Sequence, residues 1–204
     1  MGDTMERQPN QSCLFATASG QHGYFTSKQA DSCGYSKALL ASHARTGRLR
    51  RIRRGLYRLR DYPSSPNEDV TAAWLALGRD IAVVSHESAL DLLDLSDIIP
   101  NAVHLMVPRS KRHLPDLPGV VIHTTTRPIE STDVVVREGI RLTSPTRTIL
   151  DSAEAGTPPE QVEAAIKQAI ARGLVTRAQL IAGACGRSKR VGALVANAIQ
   201  PIGS

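Results

Sequence analysis

Eight arginines stand within sixteen residues, Arg45, Arg48, Arg50, Arg51, Arg53, Arg54, Arg58 and Arg60, with no acidic residue among them. A guanidinium is a planar fork of donors that matches phosphate oxygens, and a block of one sign repels itself unless anions neutralise it. The surplus is local. Residues 1–62 carry 11 Lys/Arg against 4 acids, whereas residues 63–204 carry 14 against 15. The net charge of +6 therefore belongs to the first third of the chain. Leu49, Ile52, Gly55, Leu56, Tyr57 and Leu59 interleave with the arginines, as in a short hairpin turning at Arg54-Gly55. With Tyr57, Leu59 and Ile52 facing inward, period two sends Arg58 and Arg60 outward and sets Arg51 and Arg53 on the other face. Such a hairpin grips phosphate.

A second cluster of reactive types, Ser85-His86-Glu87-Ser88, combines hydroxyl, imidazole and carboxylate. Capping accounts for much of it: Ser85 stands where a helix starts and Glu87 in the first turn suits the positive end of the helix dipole. No G-x-S-x-G elbow accompanies it. His86, His104 and His123 fall on separate elements, and no H-x-x-x-H or C-x-x-C pair supports a metal site, so each reads as a satisfied core or surface histidine. No catalytic residue, metal or cofactor is expected. The three cysteines, Cys13, Cys33 and Cys185, are odd in number and far apart, which predicts neither a disulfide framework nor a zinc site and suits a reducing cytoplasm.

The elements that position these residues follow from caps and periodicity. A helix is predicted over Gln11–Ser19, then a short strand at Tyr24-Phe25. Thr26-Ser27-Lys28-Gln29 is a capping box whose helix stops at Gly34, and Ser36 caps a second helix from Lys37 to Thr46. With the hairpin, the order is that of a winged helix-turn-helix. Asp61–Asn67 reads as a Pro/Ser linker, which divides the chain into a DNA-binding domain, residues 1–62, and a second domain, residues 63–204.

In the second domain a helix is predicted over Glu68–Leu77, strands at Ile81–Val84, Val103–Val107, Val120–Thr124 and Val134–Val136, and a helix from Ser85 to Leu93. Ser144-Pro145 opens a helix with Ile149, Leu150 and Ala153 on one face, and Arg147 pairs with Asp151 at i+4. Thr157-Pro158-Pro159-Glu160 and Thr176–Gln179 read as capping boxes, and a last helix spans residues 188–199. The fold class is α+β: a winged helix-turn-helix, then a mixed α/β domain with a helical C-terminal part. Met1–Arg7 lacks a signal peptide's apolar stretch, and no apolar run approaches the ~20 residues of a spanning helix, so a cytoplasmic protein without membrane contact is expected.

Three stretches, Gly23–Ala30, Gly47–Tyr57 and Ser85–Leu90, followed by Pro108 and Leu142–Asp151, share order and spacing with one family. The chain resembles the AbiEi antitoxins of bacterial type IV toxin–antitoxin systems over roughly residues 20–155. The resemblance implies a transcriptional autorepressor whose second domain is the antitoxin domain, with promoter DNA and a nucleotidyltransferase toxin as partners. On the helix that would enter the major groove, the chain departs from the family at Ala38, Ala41, Ser42 and His43. Lys37, Ser42 and Arg45 are the candidates for base edges, with Ser36 at the same helix start. Ser27, Lys28 and Gln29 would meet the backbone, and Arg48, Arg50, Arg51, Arg53, Arg54 and Arg58 complete the DNA-binding set. An effector-responsive repressor unrelated to a toxin and a DNA-targeted nucleic-acid-processing enzyme are the competing readings.

Overall fold

The computed structural model describes residues 8–97 and 99–200. The chain divides into two compact units, one of residues 1–80 with 138–140 and the other of residues 81–137 with 141–204. Met1–Arg7, the stretch read for a signal peptide, lies outside the described residues.

In the first unit, α1 (Gln11–Ser19) is capped by Asn10, whose side chain accepts from the Cys13 amide at 2.9 Å. Next come β1 (Tyr24–Thr26), α2 (Ser27–Ser32), α3 (Lys37–Arg45), β2 (Leu49–Arg53) and β3 (Leu56–Leu59). The expected bounds hold closely because side chains set them. The Thr26–Gln29 box is complete, Gly34 takes φ +83° in the turn, and Ser36 Oγ accepts from the Leu39 amide at 3.2 Å. The strands form an antiparallel sheet in the order β1-β3-β2. Leu14, Ala18, Phe25, Tyr35, Leu40, Leu49 and Tyr57 fill the core beneath it, with the Phe25 and Tyr57 rings stacked at 6.0 Å.

Several expectations are corrected here. The register shifts between Arg51 and Arg53, so Ile52 is a bulge residue and stands exposed rather than inward. Arg58, expected outward, is 4% exposed. Its strand is central in the sheet, and α4 (Glu68–Leu77), with fully buried Trp74, packs against β1 and β3. The division between units falls after Asp80 and leaves α4 with the winged helix, whereas composition alone puts a boundary at residue 63. The Asp61–Asn67 stretch is tied down: the Tyr62 hydroxyl donates to Ser19 O at 3.1 Å and Ser65 Oγ meets His22 Nδ1 at 2.7 Å. Cys13 and Cys33 form a disulfide, against the expectation of none, with Cα atoms 5.6 Å apart. The first turn of α1 and the C-cap of α2 pack side by side, a proximity that 20 residues of separation conceal.

The second unit is built on a five-stranded sheet in the order β6-β5-β4-β8-β7, from β4 (Val83–Val84), β5 (Val103–Pro108), β6 (Val120–Thr125), β7 (Val134–Arg137) and β8 (Ile140–Thr143). β4 runs antiparallel to β5 and parallel to β8, and β5 runs parallel to β6. β8 is an unanticipated strand whose alternate residues Ile140 and Leu142 are fully buried. α5 (His86–Leu92) packs on β5 and on α6 (Pro145–Ala155), while α7 (Pro159–Ala171), α8 (Arg177–Ala184) and α9 (Lys189–Ile199) form the helical part against α6. The Thr176–Gln179 box is present. The one expected at Thr157 is not, because Pro158 holds the N-cap position and Pro159 opens the helix. Among the described residues, no helix is long and apolar enough to cross a membrane.

Candidate nucleic-acid interface

α2, the Gly34-Tyr35 turn and α3 are held against the β2–β3 hairpin, and the Ser27 amide donates to Gly55 O at 2.8 Å. That bond seats Gly55, at the tip of the hairpin, on Ser27 at the start of α2. Lys28, Lys37, Arg45, Arg48, Arg50, Arg51 and Arg54 are exposed and Arg53 is half-buried. None of these eight has an acidic partner among the described residues, so their charge is available to an external anion.

Three of the predicted side chains are otherwise committed. Gln29 Oε1 accepts from the Thr26 amide at 2.9 Å and its Nε2 donates to Gln21 Oε1 at 2.9 Å, so its amide serves the helix cap and not a phosphate. The Ser36 hydroxyl caps α3. Arg58 donates to Glu68 Oε2 at 2.8 Å and to Pro63 O at 3.0 Å, with its guanidinium 5.4 Å from the Tyr24 ring centroid. Burial, with Glu68 second, holds the Tyr24 phenol above its ordinary pKa. Ser42 is half-buried on α3. The remaining set is mainly cationic: Lys37 and Arg45 with half-buried Ser42 on α3, Lys28 with half-buried Ser27 on α2, and the arginines around the hairpin.

Arg147 and Asp151 are joined as expected, Nε to Oδ2 at 2.7 Å, within a larger buried network. Arg147 also reaches Asp133 Oδ2 at 3.0 Å and Thr125 Oγ1 at 3.2 Å, and Arg187 Nη1 lies 2.7 Å from Asp151 Oδ1. Beside it the three histidines, scattered in sequence, come together. The His86 and His123 rings stack with centroids 3.5 Å apart, and His104 Nδ1 meets His123 Nε2 at 3.0 Å. Ser85 holds the N-cap position of α5 as expected, but its hydroxyl makes no capping bond and meets His86 Nδ1 at 2.9 Å instead. His86 itself takes φ +51°, uncommon for a residue with a Cβ. Burial, then the neighbouring imidazoles, lowers the pKa of His86 to about 2 and that of His123 to about 4, so both rings are neutral at physiological pH. The pairing of β5 with β6 sets His104 and His123 near one another, and α5 delivers His86 to the same place. A linear spacing motif has no means of showing that convergence. Among the described residues, no group of His, Cys, Asp or Glu is arranged to hold a metal ion.

Residues 14–60 match the family described as "Transcriptional regulator, AbiEi antitoxin". No curated protein matches the chain. Among solved structures, the RV2827C protein from Mycobacterium tuberculosis superposes with a TM-score of 0.62 at 16% identity, over 93% of this chain and 77% of that one. At that identity the likeness is one of fold, and it extends through both units. The matched segment runs from Leu14 in α1 to the end of the hairpin, so it takes in the helix-turn-helix and the arginine block together. The first unit therefore carries a winged helix-turn-helix whose residues 14–60 match the AbiEi antitoxin transcriptional regulators.

Proposed function

We propose that the protein is a cytoplasmic autorepressor that binds its own promoter DNA as the antitoxin of a type IV pair, with α3 in the major groove and the β2–β3 hairpin on the phosphate backbone. One observation carries the DNA part of this reading: within the AbiEi-matched segment, Lys37, Arg45, Arg48, Arg50, Arg51 and Arg54 are exposed and none has an acidic partner among the described residues. Lys37, Ser42 and Arg45 read base edges. Lys28 and the hairpin arginines neutralise phosphates, which makes affinity fall steeply with salt. The second unit counteracts a nucleotidyltransferase toxin encoded nearby, a reading supported by the antitoxin description of the family that residues 14–60 match and by a second compact unit large enough to act separately.

The test has two arms on the full chain. A footprint on the region upstream of its own gene should show protection that an Arg51→Ala/Arg54→Ala variant loses. That variant should still protect cells from the neighbouring toxin driven by an unrelated promoter. Failure of the wild type to protect the DNA refutes the repressor reading, and failure of both proteins to protect the cells refutes the antitoxin reading.

A further inference from the structure

His86 and His123 of the histidine cluster wall a cavity of about 280 Å³ within the second unit, lined also by Thr124, Thr125, Arg127, Asp151, Glu154 and Arg187. That size sits at the lower edge of the ~300–1,000 Å³ typical of small-molecule sites and suits a base or nucleoside rather than a dinucleotide. Its electrostatics narrow the choice. Two guanidiniums, Arg127 and Arg187, and two carboxylates, Asp151 and Glu154, line it, and beside the lining Arg147 pairs with Asp133 and Asp151. The charges cancel, and the imidazoles are neutral. Such a wall neither attracts a net charge nor offsets the desolvation of one.

Its hydrogen-bonding pattern is equally specific. His104 Nε2 lies 3.7 Å from Glu87 Oε2, which favours a proton on that nitrogen. In that tautomer His104 Nδ1 is an acceptor, His123 Nε2 carries the proton between them, and His123 Nδ1 is left as a bare acceptor. The bond to His104 runs through Nε2, and the His123 ring lines the cavity, where Nδ1 is open to a ligand. His86 is 5% exposed and bonds through Nδ1 alone, to Ser85, which leaves its Nε2 unpartnered as well. Arg187 uses Nε on Gly183 O and Nη1 on Asp151, and retains Nη2 as a donor. The wall therefore presents an acceptor and donors beside flat, stacked rings.

We propose that this cavity binds an uncharged planar heterocycle with an N–H next to a C=O, the edge of a uracil- or guanine-type base or its nucleoside. The ring N–H donates to His123 Nδ1, the carbonyl accepts from Arg187 Nη2, and a ribose would lie toward the exposed lining residues Thr124 and Arg127. This site is independent of the DNA-binding reading, because it lies wholly in the second unit and is assayed without DNA.

The test is calorimetric titration of the full chain with uracil, uridine, 3-methyluridine and uridine monophosphate, and separately with guanosine. Uridine or guanosine should bind, and 3-methyluridine, which lacks the ring N–H, should bind at least about fivefold more weakly than uridine, the consequence of leaving the acceptor of a half-buried ring unmet. Comparison of uracil with uridine shows whether the ribose contributes. In His123→Phe, uridine and 3-methyluridine should bind alike, and His123→Asn, which can place an oxygen near the lost nitrogen, should restore part of the difference. Because the methylated ligand tests the wild type directly, misfolding of either variant leaves the result intact. Absence of binding by both nucleosides at millimolar concentration, equal binding of uridine and 3-methyluridine, or tighter binding of the monophosphate than of uridine each overturns the proposal.

Discussion

Replacing Arg58 with Ala separates a structural arginine from its DNA-facing neighbours. Arg58 is 4% exposed and donates to Glu68 and to Pro63 O, with Tyr24 beneath its guanidinium. Hydrogen bonds to charged groups contribute ~1.5–3 kcal/mol and a partly desolvated cation–π contact about 1 kcal/mol. Glu68 keeps 28% of its side-chain exposure, so water recovers part of the loss. The net cost to the first unit is about 2–3 kcal/mol, and with a urea slope of ~1–2 kcal/mol/M the midpoint falls by roughly 1–3 M. The assay is built in, because the chain has one tryptophan, Trp74, fully buried on the helix that receives Arg58. Its fluorescence follows unfolding of the unit concerned. Below the transition, Arg58→Ala should retain the wild-type salt dependence of DNA binding, since no phosphate contact is lost. An unshifted urea midpoint together with a shallower salt slope would place Arg58 on the DNA and refute the packing argument.

Arg51→Ala/Arg54→Ala should do the reverse, leaving the urea midpoint unchanged while flattening log Kd against log[salt] by about 0.9 per lost phosphate contact in duplex titrations at several salt concentrations. Lys37→Ala should cost ~1–3 kcal/mol on the operator and little on random DNA, as read by competition binding; equal losses on both would move Lys37 to the backbone. His86 and His123 have folded pKa values of about 2 and about 4, below the ordinary 6.5, so the unfolded chain binds more protons in acid. Their contribution is complete above pH 6.5 and is lost as pH falls, toward about 4 for His123 and toward about 2 for His86, at up to ~1.4 kcal/mol per pH unit for each ring; circular-dichroism melts of the wild type should show that slope, and His123→Asn should reduce it. Cys33→Ser should destabilise the first unit by about 3 kcal/mol under oxidising conditions, because the bridge closes a loop of some twenty residues, and reduction of the wild type should have the same effect on the Trp74 transition.

Most element bounds were legible in the sequence where a local interaction sets them. Thr26 with Gln29, Ser36 before α3, Thr176 with Gln179 and Gly34 in its turn act within four residues of one another, and the arginine block is visible because charge density is a property of composition. Period two also placed Arg58 correctly on the face of β3 opposite Tyr57. What it left open was whether that face meets water, and α4, arriving from ten residues downstream, makes it a second buried face. The same limit hid the Cys13–Cys33 bridge and the convergence of His86, His104 and His123, each of which depends on which elements pack together. Local sequence determines the elements and their caps because those energies are short-ranged. The partner of each buried arginine, cysteine and imidazole is a long-range contact, and only the tertiary packing that brings distant elements together decides it.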